Sequence, residues 1–547
     1  MGLVDVIKRW RLVQQGLSSG KKRRTSSGDG PLEKLGRSLA LRGALYLGFA
    51  VSLLSLLVGT EGASQGWLAI AGVILLCSLA IFHLNHQSSA RRNGTVFLVF
   101  GGILTHLWLV RVACGFANGT ALPEEYEFLI LPLAFAPMVH SVLLGQRAGV
   151  YSAVFVSMFG ALAMPADDRW SFLAISLFCG LIAVFATKKV RKRGRLLRAG
   201  FWVGVGALLV DLLFAKISLD SVGLDGSALW QNFGKPCLVA LITGLLTGLF
   251  VGGILPLLEG VFGLTTEISW LELSDLNHPL LRRMQIEAPG TFHHSLIVAS
   301  LAESAAEAIG ADALMSRVCA YFHDIGKLKK PEYFIENQGG ENPHDGLTPT
   351  MSALIIVAHV KDGVDMAIKD KLNPRILEVI REHHGDSLVY YFYRKAQERL
   401  LEEENRGKEE GGEVDDLPKV DGKSFRYPGP IPQSRESGII SLADAIESAS
   451  RAISKPSPGR IKALVDEIVF KRVKDGQLDA CGLTMSELTT VRTVFSKTLR
   501  SMLHARIEYP KDQVEDPPSG LGTKGGKVVV SVDALEKARS QKAKSDR

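Results

Sequence analysis

The sequence has few charged residues for its length, and this scarcity excludes a wholly cytosolic or disordered protein. Asp, Glu, Lys and Arg make up 22% of the 547 residues, and 47% are apolar. Most of the region from about Leu39 to Gly263 consists of long runs that contain no charge. Such a composition is typical of a polytopic membrane protein with a soluble remainder.

Cysteine is also scarce, and its placement excludes a disulfide framework and a cysteine zinc site. The chain has six cysteines, no CxxC pair, and four of the six lie inside apolar runs. Cysteines in such runs are typical of small apolar residues in a reduced or lipid setting.

The net charge of +7 comes from two basic segments. Residues 1–40 hold nine Lys and Arg against three acids, and Lys188–Arg198 holds seven with no acid, so the remainder sums to −6. Lys and Arg are retained on the cytoplasmic side of membranes. The first segment also lacks the interleaved aromatics of single-strand binders. We interpret these segments as topology signals that contact anionic lipid, and we predict the lipid bilayer, and no nucleic acid, as a partner.

Eight apolar stretches have the length of about 20 residues that a bilayer helix needs. Residues 1–38 are predicted to be a cytoplasmic basic segment without a cleavable signal, and residues 39–263 a transmembrane domain. Eight crossings place both ends of this domain inside. The predicted spans are 40–59, 67–84, 95–116, 128–145, 148–165, 171–187, 199–216 and 237–258.

Four ionisable residues fall inside these spans, where lipid disfavours them. Arg111 lies near the outer end of its span, so we expect its side chain to snorkel. For His106, His140 and Asp211, hydrogen bonding between helices is favoured over a ligand or ion site, and both interpretations stay open.

After Gly263 the pattern changes to a soluble, helix-rich domain over residues 264–510. Apolar residues recur at helical spacing, without the alternation of strands. Residues 397–424 are predicted to be a solvated charged insertion, and residues 511–547 a disordered tail. The fold class is therefore all-α: a helical membrane domain followed by an all-α domain below it.

Eight of the 13 histidines lie between His278 and His384. They follow an order along predicted helices, and an aspartate completes it: His293-His294, His323-Asp324, His359, His383-His384 and Asp444. Each such group costs about 1–3 kcal/mol if it is buried without a partner. Metal coordination removes that cost, because imidazole and carboxylate lone pairs are what a cation needs.

The donor set predicts two divalent ions. Imidazole and carboxylate without thiolate suit Mn²⁺ or Fe, and less clearly Zn²⁺ or Co²⁺. The ligands are too many for one ion, but two ions about 3.5–4 Å apart, built for displacement at phosphorus, would use them all. Asp324 is the natural bridge, and a metal-bound hydroxide would attack phosphorus. Lys327, one helical turn further, is predicted to bind a phosphate oxygen.

Several motifs in order resemble a known family. HDIGK at His323–Lys327, with the flanking histidines and the final aspartate, resembles the HD-domain phosphohydrolase superfamily. More specifically, the chain is similar to the 7TM-HD family of cyclic di-AMP phosphodiesterases. That likeness rests on EAPGTFHHS (Glu287–Ser295), YFIENQ (Tyr333–Gln338), NPHDGLTP (Asn342–Pro349), EHHG (Glu382–Gly385), FRYPGPIPQ (Phe425–Gln433) and LADAIESASR (Leu442–Arg451).

This resemblance implies a cytoplasmic HD domain on a bacterial cell membrane, with two Fe or Mn ions, that converts cyclic di-AMP to pApA. It implies a first metal held by His294, His323, Asp324 and Asp444, and a second held by Asp324, His359, His383 and His384. His293 is then structural or supports a ligand from outside the metal groups. The chain departs from the family in the loop Thr60–Gly66, where an extracellular sensing domain is expected, and in its long charged insertion.

Other functions remain as alternatives. The metal site reads phosphate and not the base, so an HD hydrolase of cyclic di-GMP or of a guanosine polyphosphate fits the same residues. A non-catalytic membrane receptor that only binds nucleotide is a different class, which the complete ligand set disfavours. The sequence leaves the oligomeric state open, a homodimer included.

Overall fold

The structure is a computed structural model that describes residues 36, 38–58, 65–85, 92–119, 126, 128–188, 190–214, 226–409, 420–453 and 456–504. Within these ranges the regular elements are helices, and the extended residues pair only in an isolated antiparallel bridge between Leu388 and Arg426. The predicted all-α fold class is confirmed. The predicted tail 511–547 and nearly all of the basic segment 1–38 lie outside the described residues.

The N-terminal part forms a helical bundle with a continuous apolar core. Aromatic side chains fill its centre, where the rings of Phe49 and Phe100 lie 4.8 Å apart. The helices of this part are α1 (Leu39–Val58), α2 (Gln65–Asn85), α3 (Asn93–Gly119), α4 (Phe135–Leu144), α5 (Gln146–Ala163), α6 (Arg169–Ala186), α7 (Gly194–Leu213) and α8 (Lys235–Phe262).

Six helices in the described part of the chain are long and apolar enough to cross a membrane, and they match six of the eight predicted spans. They cover Leu39–Val58, Gly66–Asn85, Asn93–Ala117, Ala166–Ala186, Gly194–Leu213 and Trp230–Phe262. The predicted span 128–145 is instead broken, because turns occupy 128–134 and α4 has only ten residues. The span 148–165 corresponds to the more polar, 18-residue α5. The count of eight is not confirmed.

Close packing of glycines joins α7 to α8. A Cβ on Gly200 would lie 2.2 Å from the backbone oxygen of Gly244, and one on Gly248 would lie 2.5 Å from that of Leu196. Side chains at these positions would push the helices apart. Small residues spaced four apart are a common way for membrane helices to approach closely, and Gly200, Gly204, Gly244 and Gly248 follow that spacing here.

The two intramembrane histidines bind the backbone of each other's helix. The Nδ1 atom of His106 in α3 accepts a hydrogen bond from the backbone N–H of Ala136, in the first turn of α4. In return, His140 in α4 contacts the backbone oxygen of Leu98 in α3 through Nε2, at 3.1 Å. The other ring nitrogen of each histidine is buried without a hydrogen-bond partner. These contacts favour the interpretation as helix-helix hydrogen bonds; Asp211 is also buried.

The C-terminal part is a second helical assembly. Its helices are α9 (Glu267–Leu273), α10 (Pro279–Glu287), α11 (Pro289–Ala308), α12 (Ala313–Phe322), α13 (Pro349–Lys369), α14 (Pro374–Glu382), α15 (Tyr390–Glu409), α16 (Arg435–Ser450), α17 (Pro458–Lys474) and α18 (Met485–His504). The predicted insertion begins inside α15, which extends to Glu409, and residues 410–419 of it lie outside the described ranges.

A short connection joins the last membrane helix to this assembly. Helix α8 ends at Gly263, which has a positive φ of 63°, and α9 begins four residues later. The Glu259 carboxylate accepts hydrogen bonds from the backbone N–H of Thr266 and from the hydroxyl of Ser269. One side chain therefore bonds both the connection and the helix that follows it.

Candidate metal centre

Side-chain caps fix the starts of the helices that carry the predicted ligands. Asp312 caps α12, Thr348 caps α13, Asn373 caps α14 and Ser434 caps α16, each by accepting a backbone N–H of the first turn. Such caps satisfy donors that have no partner within the helix. His323-Asp324 and His383-His384 directly follow the last residues of α12 and α14, while α11, which carries His294, begins without a side-chain cap.

The structure brings all seven predicted ligands together in two groups that share Asp324. In each group the potential ligand atoms lie within 4.8 Å of one another. The first group contains His294, His323, Asp324 and Asp444, and the second contains Asp324, His359, His383 and His384. These are the two sets that the family resemblance implies. All of these side chains are buried except His384, which is partly exposed.

The two oxygens of Asp324 face different groups. Oδ2 lies 3.3 Å from Nε2 of His323 and 3.5 Å from Nε2 of His294. Oδ1 lies 3.3 Å from Nε2 of His359 and 3.7 Å from Nε2 of His383. A carboxylate in this position can bridge two cations, one on each oxygen.

Three of the histidines are oriented by their own helices. The Nδ1 atoms of His323, His359 and His383 contact the backbone oxygens three residues earlier, at 2.6–2.8 Å. Since a carbonyl only accepts, Nδ1 carries a proton, and Nε2, on the side of Asp324, is the atom that is able to ligate a metal. Such a bond to the second ring nitrogen is typical of histidines that ligate metals.

His294 is oriented by Glu447, which sequence reasoning missed. Nδ1 of His294 hydrogen-bonds the Glu447 carboxylate, while Nε2 lies 3.1 Å from Oδ1 of Asp444. Arg451 pairs with the same carboxylate at 2.9 Å. Asp444 and Glu447 are three residues apart on α16, so they share a face. That spacing, within the LADAIESASR motif, is the signal that could have identified Glu447.

The buried donor atoms fit a bound metal. Nε2 of His294, Nε2 of His323 and Oδ1 of Asp324 are buried and make no hydrogen bond. Leaving such atoms without a partner is costly, and a cation satisfies them with lone pairs of the right type. The two groups are therefore able to hold divalent metal.

The carboxylates of this cluster stabilise the protonated form of His323, and the neighbouring cations stabilise the ionised form of Asp324. Burial alone would lower the pKa of His323, but the carboxylates of Asp324 and Asp444 raise it to about 10. Burial disfavours the charged form of Asp324, yet His323 and Lys327 hold the pKa of its carboxyl well below its usual range. The cluster thus attracts positive charge at Asp324, as protons or as metal ions.

Lys327 lies at the edge of the two groups. Its ammonium is 2.8 Å from Oδ2 of Asp324 and 2.7 Å from the carboxylate of Glu336, which in turn accepts a hydrogen bond from Thr291. Burial lowers the pKa of Lys327, but both carboxylates outweigh it, so the pKa is raised and the side chain stays protonated. Glu336, in the YFIENQ motif, is a second residue that sequence reasoning missed.

Gly326 lets the turn after Asp324 pack directly on α13. A Cβ at this position would lie 1.9 Å from the backbone oxygen of His359. Backbone atoms of α13 cannot move aside without moving His359, so the glycine in HDIGK keeps the two groups in contact.

Tyr427 forms a wall of the second group. Its ring stacks on that of His384 with centroids 4.2 Å apart and lies edge-on to His359. It comes from the FRYPGP motif, for which the sequence predicted no role.

The remaining histidines of the cluster lie outside both groups. His278 caps α10, and His293 is exposed on α11. Nε2 of His344 contacts the backbone oxygen of Tyr333 at 2.9 Å, and Asn342 accepts the backbone N–H of His344. These contacts hold the NPHD loop itself together.

Comparison with known proteins agrees with this arrangement. A model described as a 7TM receptor with intracellular HD hydrolase matches residues 64–266, and a model of the HD domain matches residues 291–449. The chain belongs to the 7TM-HD family. The family that the motifs predicted is therefore confirmed, and together with the six apolar helices it makes this chain a multi-pass membrane protein.

Individual relatives of this 7TM-HD chain are named cyclic-di-AMP phosphodiesterase PgpH. The protein from Bacillus subtilis is 33% identical over 82% of this chain, and that from Listeria monocytogenes is 35% identical over 81%. The chain spans 60% and 58% of their lengths. A crystal structure of the L. monocytogenes PgpH HD domain in complex with cyclic-di-AMP matches 42% of this chain and all of that domain, with 39% identity and a TM-score of 0.38.

Proposed function

We propose that this protein is a membrane-anchored, metal-dependent phosphodiesterase that hydrolyses cyclic di-AMP to pApA. The observation that carries the proposal is the pair of four-residue groups that share Asp324, three of whose ligating atoms are buried without a hydrogen bond. The names of the two relatives support the choice of substrate. The ligand set is His294, His323, Asp324, His359, His383, His384 and Asp444.

Mn²⁺ or Fe fits these residues best, because the donors are imidazole and carboxylate without thiolate. A pair of such cations, when bound, supplies the positive charge that acidifies a water and neutralises phosphate oxygens. The protein supplies orientation: backbone carbonyls fix His323, His359 and His383, and Glu447 fixes His294. Their imidazoles are held in place before any ligand arrives, so little reorganisation is needed.

Lys327 contributes a fixed cation beside this centre. Since two carboxylates keep it protonated, it acts as a charge and not as a base. Its side chain is only 13% exposed, which limits screening by water. We propose that its ammonium contacts a phosphate oxygen as negative charge develops there, while Glu336 keeps it in position.

We also propose that the HD domain lies on the cytoplasmic side of the bacterial cell membrane. The basic segment Lys188–Arg198, which topology rules place inside, lies against α9 at the start of this domain. Arg193 pairs with Glu272 at 2.9 Å, and Arg191 with Glu267 at 3.8 Å. These contacts support the proposal that the basic loop and the HD domain share one side of the membrane.

Turnover by the full-length protein in detergent or nanodiscs tests the proposal. Protein loaded with Mn²⁺ should convert cyclic di-AMP to pApA, measured by chromatography, with cyclic di-GMP and a guanosine polyphosphate compared side by side. Asp324→Ala should abolish turnover because both groups lose their shared carboxylate. Asp362→Ala, which removes a carboxylate on α13 that pairs with Lys329, is the matched control. Metal-loaded protein that leaves cyclic di-AMP intact would disprove the proposal.

A further inference from the structure

Arg472 is a cation of the HD domain with a buried nitrogen for which the described residues supply no hydrogen-bond partner. It lies in the last turn of α17, and its side chain is partly exposed. Its Nη1 atom is nevertheless buried and has no hydrogen-bond partner. A guanidinium carries five N–H donors in a planar fork, and leaving a buried nitrogen of it without an acceptor is unfavourable.

Other arginines of the same domain are paired. Arg451 binds Glu447, Arg435 binds Glu487, and Arg492 binds Asp466, each through at least one N–O contact of 2.9 Å or less. Asp475, which is close in sequence to Arg472, pairs with Arg426 instead, at 3.7 Å. Within the described residues these three arginines have carboxylate partners, whereas Arg472 makes no ion pair; Arg381 also has a buried nitrogen, Nε, without a hydrogen-bond partner.

The turn after α17 docks beside the histidine pair. Gln477 bonds the backbone N–H of Asp386 through its side-chain oxygen, and its own backbone N–H donates to the backbone oxygen of Arg472. Gly385, at a positive φ of 58°, makes room for this contact, since a Cβ there would lie 2.2 Å from the Gln477 oxygen. The last turn of α17 is therefore fixed next to His384.

The groups that act on the Arg472 charge belong to the centre or border it. Burial lowers the pKa of the guanidinium, while Asp444, Tyr427 and Asp475 act in the opposite direction. Burial raises the pKa of the Tyr427 phenol, and the positive charges of Lys327 and Arg472 act in the opposite direction. Tyr427 stacks on His384, and of the two cations that act on its phenol only Lys327 is already held by carboxylates of the described residues.

We propose that Arg472 is a substrate-binding residue whose guanidinium receives a phosphodiester oxygen of the cyclic dinucleotide. A guanidinium matches a phosphate with two parallel hydrogen bonds, and the substrate carries two phosphodiesters while the metal groups hold one. The missing partner of Arg472 is then the ligand. This inference rests on the proposed function and names a residue that the seven-ligand pattern does not include.

Three variants of the full-length protein test it: Arg472→Ala, Arg472→Lys and Arg460→Ala. Arg460 lies at the exposed start of the same helix and is the matched control. Arg472→Ala should raise KM for cyclic di-AMP about 10- to 100-fold, as expected for loss of a charged hydrogen bond. Its metal content should stay at the wild-type level, and Arg472→Lys should recover part of the loss. Arg460→Ala should match the wild type.

Equilibrium binding separates this inference from the proposed function. Calorimetry with cyclic di-AMP on the Mn²⁺-loaded protein should show the same weakening in Arg472→Ala, whether or not the wild type turns the ligand over. A wild type that binds but does not hydrolyse would overturn only the proposed function. Wild-type affinity and KM in Arg472→Ala, or a loss of metal that accounts for a weakened Kd, would overturn the role of Arg472.

Discussion

The membrane bundle and the HD domain both bury histidines, but they use the second ring nitrogen in opposite ways. In the bundle, His106 and His140 each bond the backbone of the neighbouring helix, and their other nitrogens face no partner. In the HD domain, His323, His359 and His383 bond their own helices, which leaves the lone pairs of Nε2 to converge on Asp324. The first arrangement joins helices, whereas the second prepares a site.

Carboxylates make the difference between the two regions. Asp324 and Asp444 stand among the histidines of the HD domain, whereas His106 and His140 hydrogen-bond backbone groups. Neutral imidazoles alone attract a divalent cation less strongly than imidazoles with carboxylates. Burial of a histidine is thus a poor guide to function, and the bond made by its second nitrogen is a better one.

Removing a ligand from one group only should give the largest effect. We expect His359→Ala to lose metal from the second group and His294→Ala from the first, so that each variant retains about half of the metal. Activity should fall more than about 100-fold in both, because a two-metal site needs both ions. Elemental analysis with product identification checks this. Full metal content in either variant would contradict the two-group arrangement.

Replacing a glycine by alanine should lower stability more in the HD domain than in the membrane bundle. Gly326→Ala places a Cβ 1.9 Å from the backbone oxygen of His359, and Gly102→Ala places one 2.4 Å from the ring of His140. A backbone yields less than a side chain, so we expect Gly326→Ala to cost about 1–3 kcal/mol and also to lower metal content. Thermal unfolding with elemental analysis measures both.

The Gly102→Ala variant is the control in that experiment. Its metal content should match the wild type, because His140 is the only group displaced. If both variants lost metal equally, the loss could not be assigned to the contact between Gly326 and His359.

Removing the support of a ligand should have a smaller effect than removing the ligand. Glu447→Gln keeps the size of the side chain but removes the negative charge beside Nδ1 of His294. We therefore expect metal affinity to fall about 10- to 100-fold. Competition with a chelator measures the affinity. Arg451→Ala, which leaves Glu447 in place, should change it less, and the reverse order would contradict the role of Glu447.

The smallest effect is expected in the bundle. His106→Ala removes one hydrogen bond between α3 and α4, which is worth about 0.6 kcal/mol in membrane proteins. Unfolding in detergent should show this loss, with metal content and turnover unchanged. A loss of bound metal in this variant would show that the histidine pair serves the distant site after all.

The sequence predicted the ligands better than the residues around them. The family resemblance, followed along the chain, predicted His294, His323, Asp324, His359, His383, His384 and Asp444, and the structure brings these residues together. Glu447, Glu336 and Tyr427 were missed, since ordinary charged and aromatic residues carry no signal until the fold brings them to a ligand. The pairing of Lys327 with Asp324 and Glu336 was likewise not predicted from the sequence.

The membrane region shows the same limit. Long apolar runs identified six helices, but hydropathy could not show that turns would interrupt 128–145. Pro132 and Pro137 are the residues that could have warned of it, because proline disfavours the preceding helical turn. The motif likeness was detailed only after Ser269, whereas the family match extends through residues 64–266.

The side chain of Glu259 restrains the connection between the last membrane helix and the HD domain. Four residues separate α8 from α9, and the carboxylate of Glu259 grips Thr266 and Ser269 across that gap. Helix α9 packs on α12, which ends at His323. A rotation or axial shift of α8 would therefore be transmitted through α9 and α12 to His323 in the first metal group, because the short connection is held by hydrogen bonds.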